Sequence, residues 1–147
     1  MSAASAVAHV GITVADLEAS ILFWRDALGF KLVLRSALRP PHAEAVTGVV
    51  GADIEVAILR LDACSVELLQ YLAPAGRRTD ARPCDVGAAH IALVVADVAD
   101  VVAICRGHGW VPQGPSHTVE AGPGAGWQAV YLRDADGTTL ELLGPVS

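Results

Sequence analysis

The chain repeats itself once, and this repeat limits its fold more than any other feature of the sequence. Residues 8–17, AHVGITVADL, resemble residues 89–98, AHIALVVADV, at an offset of 81 positions. Farther along, SVELL at 65–69 resembles TLELL at 139–143, at an offset of 74 positions. Such a repeat indicates two copies of one supersecondary unit, the second with shorter loops.

Each copy has the pattern of a strand, a helix and three more strands. Alternating apolar residues predict the first-module strands at 8–14, 30–35, 54–61 and 65–71. The same pattern predicts the second-module strands at 89–95, 110–112, 128–133 and 139–143. Apolar residues at helical spacing predict helices at 17–28 and 98–107, the first with Asp16 as its N-cap. Asp134 to Gly137 is predicted to be the tight turn of a hairpin.

The sequence therefore predicts an α+β fold of two tandem βαβββ modules. We expect the first module at 1–73, a linker at 74–87 and the second module at 88–147, packed together as a single compact domain. Two stretches at matching positions, 36–53 and 113–127, are rich in Gly and Pro and are predicted to be loops.

Composition excludes several classes of function. A formal net charge of −6 leaves no basic surface for nucleic acid. No apolar run reaches the roughly 20 residues that cross a bilayer, and the first residues lack a secretory pattern, so we expect a cytoplasmic protein without membrane contact. The three cysteines, Cys64, Cys84 and Cys105, are scattered, which predicts free thiols rather than disulfides or a Cys-based zinc site.

One His and one Glu recur in each module at equivalent places. Strand alternation puts His9 and Glu67 on the sheet face opposite the first helix, and His90 and Glu141 on the same face of the second module. A Glu between apolar residues in mid-strand is costly to bury without a partner. Two imidazoles and two carboxylates form a suitable ligand set for a divalent ion. The alternative is two hydrogen-bonded His–Glu pairs without a metal.

Three segments resemble the vicinal oxygen chelate superfamily, whose members include glyoxalase I and methylmalonyl-CoA epimerase. They are AHVGITVADLEASILFWRDALGF, GAAHIALVVADVADV and YLRDADGTTLELLGP. The resemblance implies the glyoxalase/bleomycin-resistance-like fold, in which two modules form a half-open, curved mixed sheet around a metal. It implies that His9, Glu67, His90 and Glu141 are the metal ligands, and that the chain forms a homodimer.

The resemblance also implies a reaction class. It predicts a metal-dependent isomerase, epimerase or lyase that stabilises an enolate or enediolate of a small carbonyl substrate. Glu67 and Glu141 are the candidates for the general base, and Glu44 and Glu55 are further candidates. The metal could be Ni, Co, Zn, Mn or Fe, since all accept this ligand set.

Two departures from the family pattern concern the substrate. Thr13 stands where glutathione-using relatives carry Arg, and Tyr71 stands where they carry Asn, which argues against a glutathione adduct. We expect Thr13, Tyr71 and Trp127 to contact a small-molecule substrate. Two other functions stay open at this point: an Fe(II) extradiol-type dioxygenase, and a protein that binds an antibiotic or confers resistance to it.

Overall fold

The chain folds into two compact units in a computed structural model that describes residues 3–146. Unit 1 runs to Arg77 and unit 2 begins at Arg78, so the division falls inside the stretch predicted as a linker. The packing of both modules into one domain stays a prediction.

Unit 1 contains a four-stranded mixed sheet and two short helices. In chain order its elements are β1 (Val10–Thr13), α1 (Leu17–Leu22), β2 (Lys31–Leu38), α2 (His42–Thr47), β3 (Asp53–Leu61) and β4 (Cys64–Ala73). The strand order is β1-β4-β3-β2, with β1 parallel to β4 and the other neighbours antiparallel. Helix α1 connects β1 to β2 at the opposite edge of the sheet and makes these two strands parallel. Because β2, β3 and β4 are successively antiparallel, β4 also runs parallel to β1.

The first helix begins where the sequence predicts but changes its pitch. Asp16 is the N-cap, and its Oδ1 accepts a hydrogen bond from the backbone N–H of Ala19 at 2.9 Å. After Leu22 the chain forms a π-helical turn, Phe23–Ala27, instead of continuing as the predicted α-helix. Phe23 and the next residue, Trp24, are both buried there, and Trp24 packs edge-on against both Phe23 and Phe30.

The prediction of an unstructured loop at 36–53 is wrong. Strand β2 extends into this stretch, and α2 lies within it. Ala43 of α2 is fully buried in a small cluster with Ala52, Ile54 and Val56, against which Tyr71 also packs. With six residues, α2 is too short to show helical periodicity in the sequence.

Unit 2 repeats the arrangement with shorter connections. Its elements are β5 (His90–Val94), α3 (Val98–Gly107), β6 (Val111–Pro112), β7 (His117–Thr118), β8 (Trp127–Arg133) and β9 (Thr139–Pro145). The strand order is β5-β9-β8-β6, and β7 pairs separately with β8, so the predicted loop at 113–127 contains a short strand. Helix α3 and the turn between β8 and β9 lie where the sequence predicts.

The α+β prediction is confirmed, with one mixed sheet in each unit. In both units the face toward the helix carries the buried aliphatic residues, such as Val66 and Leu68 in β4 and Leu140 and Leu142 in β9. The opposite face is therefore the one that carries the polar residues. No helix among residues 3–146 is long and apolar enough to span a membrane.

Candidate metal centre

The structure brings His9 and Glu67 together in unit 1. His9 directly precedes β1 and Glu67 lies in β4, and the parallel register places Gly11 beside Glu67. The imidazole Nε2 is 3.1 Å from Glu67 Oε2, with 39% and 19% of the two side chains exposed. This unit 1 pair is thus half-buried on the face opposite α1 and reachable from solvent.

A glycine and an apolar residue flank Glu67 in the sheet. Glu67 has Gly11 on one side and Ile58 of β3 on the other. A Cβ at Gly11 would lie 3.9 Å from Glu67 Oε2 and 3.5 Å from Leu69 Cδ1. The missing side chain therefore leaves the Glu67 carboxylate room to move.

His90 and Glu141 form the equivalent pair in unit 2. His90 begins β5 and Glu141 lies in the parallel strand β9. Their Nε2 and Oε2 atoms are 3.2 Å apart, with 40% and 20% of the side chains exposed. The two units therefore repeat the same chemical pair at nearly the same distance and exposure.

Tyr131 is a third polar residue at the unit 2 pair, and the sequence reasoning missed it. It faces Glu141 directly across β8 and β9. Its hydroxyl is 3.3 Å from His90 Nε2, and the two ring centroids are 4.9 Å apart. Burial raises the pKa of the Tyr131 hydroxyl above its ordinary value, and the negative charge of Glu141 adds to the effect. The predicted hairpin could have revealed this residue, because pairing Arg133 with Thr139 also pairs Tyr131 with Glu141.

The donor set fits a divalent metal ion. Each pair presents one imidazole nitrogen and one carboxylate oxygen, which are common ligands of Zn, Ni, Mn and Fe(II). The structure groups these side chains in twos: within residues 3–146, no cluster of three or more His, Cys, Asp or Glu lies within reach of a single ion. The four-ligand centre stays a prediction.

The three predicted substrate-binding residues occupy different surroundings. Thr13 is exposed on β1 and pairs with Leu69, on the same face as the unit 1 pair. Tyr71 packs against the cluster around Ala43. Trp127 begins β8, on the same face as Tyr131, and is 38% exposed. Their role in binding stays a prediction.

The two further base candidates have structural partners. Glu44 accepts a hydrogen bond from the backbone N–H of Gly51 at 3.0 Å, which ties α2 to the following turn. Glu55 forms an ion pair with Arg39. Neither contact involves the His–Glu pairs, so Glu67 and Glu141 are the better placed carboxylates.

The comparison with protein families settles the relationship. Residues 6–142 match the model of the Glyoxalase/Bleomycin resistance protein/Dioxygenase superfamily. The chain belongs to this superfamily. A curated relative, the 2-epi-5-epi-valiolone epimerase of an Actinomyces species, is 33% identical over 146 residues, which cover 95% of this chain and 79% of the relative. Membership and this relative support a glyoxalase-like isomerase or epimerase.

Solved structures of the superfamily show the same fold. A glyoxalase family protein from Bacillus cereus is 23% identical, with each chain fully covered and a TM-score of 0.80. The trypanothione-dependent glyoxalase I of Leishmania major is 22% identical, with 96% of this chain and 87% of that chain covered and a TM-score of 0.67.

Metal-bound structures occur among the structural neighbours. The fosfomycin resistance protein FosX of Listeria monocytogenes, in complex with Mn(II) and sulfate, is 14% identical, with 97% of this chain and 94% of that chain covered and a TM-score of 0.65. Superfamily members commonly use divalent metals and are often dimers. The metal, the homodimer and the cytoplasmic location of this chain stay predictions.

Proposed function

We propose that this protein is a divalent-metal-dependent epimerase that acts beside the carbonyl group of a small polyhydroxylated ketone. The observation that carries the proposal is the duplicated His–Glu pair, 3.1 Å apart in unit 1 and 3.2 Å apart in unit 2. The relative that is named as a 2-epi-5-epi-valiolone epimerase supports this reaction over the dioxygenase and antibiotic-resistance alternatives.

The metal would be held by His9, Glu67, His90 and Glu141, two ligands from each unit. When bound, the ion supplies Lewis-acid polarisation of a carbonyl oxygen, which makes the neighbouring C–H more acidic. Each imidazole must be neutral to bind an ion, and each carboxylate must be ionised, so we expect binding to weaken at acidic pH.

Glu67 and Glu141 are proposed as the acid–base residues. Epimerisation removes a proton from one face of a carbon and returns a proton to the other face. Two carboxylates, one from each unit, meet this requirement, since each can serve one face. The room beside Glu67 at Gly11 suits a carboxylate that must move to reach its proton.

Tyr131 is proposed to bind a substrate oxygen. Its hydroxyl is held at the unit 2 pair by packing of its ring against His90. When His90 Nε2 is occupied as a ligand, the hydroxyl is free to donate a hydrogen bond to an oxygen that gains negative charge during the reaction. Thr13, Tyr71 and Trp127 are proposed to contact more distant parts of the substrate.

The test is proton exchange in D₂O with 2-epi-5-epi-valiolone, a polyhydroxylated cyclic ketone, followed by proton NMR. We expect the metal-loaded protein to replace the hydrogen next to the carbonyl by deuterium and to produce the second epimer. The double variant Glu67→Gln, Glu141→Gln should do neither. If the metal-loaded protein causes no exchange but consumes O₂ with a catechol, the dioxygenase alternative replaces this proposal.

A further inference from the structure

Unit 2 contains a cavity of about 340 Å³ that the proposed reaction does not use. It lies between β6, the turn after β8 and the chain segment at Thr79 and Asp80. Gly137 allows this segment to come close, because any Cβ there would lie only 2.4 Å from the Thr79 carbonyl oxygen. The volume is at the lower end of the ~300–1,000 Å³ that is usual for small-molecule sites.

The cavity opens on the same sheet face as the unit 2 pair. Across the sheet, Val111 pairs with Arg133, Arg133 with Thr139, and Thr139 with His90. Directly paired residues share a face, so Arg133 lies on the His90 side of the sheet. Arg133 is also two residues from Tyr131 along β8. Alternate residues of a strand are about 6.6 Å apart, so a ligand of that length in contact with Tyr131 would reach Arg133.

Arg133 supplies hydrogen-bond donors, and its hydrogen bonds to other residues of the chain are long. Its side chain is only 14% exposed, yet its three contacts are long: 3.4 Å to the Gly137 carbonyl, 3.5 Å to the Thr79 carbonyl and 3.4 Å to Asp80. Asp80 is fully exposed, so this ion pair contributes little to stability. A guanidinium has five N–H donors, and a ligand could bind those that remain.

Acceptors line the same cavity. Gln113 donates from Nε2 to the Val111 carbonyl at 3.0 Å, and no described residue donates to its amide oxygen. The Asp80 carboxylate is a second acceptor and the Thr79 hydroxyl can act either way. Oδ1 of Asp134 already accepts the backbone N–H groups of Asp136 and Thr138 within the turn.

This combination suits hydroxyl groups better than an anion. The charges of Arg133 and Asp80 cancel, and a bare anion in the cavity would also lie close to Asp134. A hydroxyl group both donates and accepts, so neighbouring hydroxyls can bind the guanidinium, the amide oxygen and the carboxylate together.

We propose that this cavity is a polyol subsite, formed by Thr79, Asp80, Gln113 and Arg133, which binds neighbouring hydroxyl groups of the substrate. The assignment rests on the proposed function, because it places the reacting carbonyl at the unit 2 pair and the hydroxyl-bearing end in the cavity. The subsite thereby selects polyhydroxylated substrates.

The test is a ¹H–¹⁵N NMR titration of the full chain with myo-inositol, an unreactive cyclic polyol. We expect saturable shifts at the Gln113 side-chain amide and at the backbone amides of Thr79 and Arg133. Asp80→Ala and Gln113→Leu should each weaken the affinity about threefold to tenfold, which corresponds to one hydrogen bond. Asp100→Ala removes an exposed carboxylate elsewhere and should change nothing.

The same titration with inorganic phosphate gives the opposing result. If phosphate shifts these resonances more strongly after Asp80→Ala while myo-inositol does not, the cavity is an anion site and the proposal is wrong. Absent or unsaturable shifts with myo-inositol, or equal affinity in all variants, also overturn it. The double variant Glu67→Gln, Glu141→Gln separates the two proposals, because it should abolish exchange of the ketone but leave myo-inositol binding intact. If only the subsite proposal is wrong, metal binding and ketone exchange stay intact while myo-inositol does not bind.

Discussion

Tyr131 lies directly across β8 and β9 from Glu141, and its hydroxyl is 3.3 Å from His90 Nε2. In unit 1 the matching place beside Glu67 is taken by Ile58. The two His–Glu pairs are therefore alike in residue type and distance but not in their surroundings. In unit 2 the Tyr131 hydroxyl is a hydrogen-bond donor beside the proposed metal, whereas in unit 1 the equivalent residue, Ile58, is apolar.

Replacing Tyr131 by Phe tests this asymmetry. The ring and its packing on His90 remain, so metal content and melting temperature should not change. Turnover should fall about tenfold, because a hydrogen bond to a developing charge is lost. Steady-state kinetics of epimerisation together with a thermal melt would measure both effects. Full turnover in this variant would show that the hydroxyl does not contact the substrate.

Gly11→Ala tests whether Glu67 needs room to move. The new Cβ would be 3.5 Å from Leu69 Cδ1, an ordinary contact, so the free energy of unfolding should stay equal or rise slightly. The same Cβ would touch Glu67 Oε2, and we expect turnover to fall about tenfold while the metal is retained. The matched control is Ala92→Gly, at the equivalent place beside Glu141. If Gly11→Ala and the natural protein have equal turnover, the reaction does not require the Glu67 carboxylate to move.

The single variants Glu67→Gln and Glu141→Gln test the division of labour between the two carboxylates. Gln keeps a side-chain oxygen that can still bind the ion, so with metal in excess each variant should lose solvent exchange with one epimer and keep exchange with the other. Deuterium incorporation into each purified epimer, at equal metal loading, measures this. Loss of exchange with both epimers in one variant and neither in the other would mean that a single Glu acts alone.

Much of the fold could be predicted from the sequence, because each segment of one module has an equivalent segment in the other with the same pattern. Helix α3, the Asp16 cap and the turn before Gly137 were predicted from local patterns alone. The π-helical turn after Leu22 was not, because it depends on tertiary burial of both Phe23 and Trp24. Helix α2 was missed since only packing around Ala43 stabilises so short a helix.

The site was predictable in part for the same reason. Strand alternation predicted that the His and the Glu of each module share the sheet face opposite the helix. In the structure, the His and the Glu of each unit are in contact. Tyr131 and the cavity beside Arg133 depend on the register between strands and on the position of Thr79, which no local pattern specifies. Which loops contact the substrate depends likewise on contacts distant in sequence.

The cysteines should differ sharply in reactivity. Cys64 and Cys84 are exposed, whereas Cys105 is buried and its burial raises the pKa of its thiol to about 11. At neutral pH a thiol reagent should therefore modify the two exposed residues quickly and Cys105 only after unfolding. Peptide mass spectrometry after timed alkylation would show the order; early modification of Cys105 would contradict its burial.

The raised pKa of the Cys105 thiol also predicts that the folded chain loses stability at alkaline pH. The pKa of the Cys105 thiol is about 11 in the folded chain, against an ordinary 9.0. The neutral thiol therefore adds fully to the free energy of unfolding below pH 9, and this stabilisation is lost as the pH rises toward 11. Metal-free protein should lose about 2 kcal/mol more of its unfolding free energy over this range than Cys105→Ala does. Urea unfolding at several pH values measures this, and parallel curves would show that the thiol does not contribute.

The central claim is that both His–Glu pairs hold one metal ion, and metal content per chain tests it most directly. The natural protein, His9→Ala and His90→Ala would be loaded, freed of loose metal and measured by elemental mass spectrometry. We predict about one divalent ion per chain in the natural protein and almost none in either variant, since each removes a ligand of the shared ion. A chain without metal after loading, or variants that keep half or more of it, would contradict the claim.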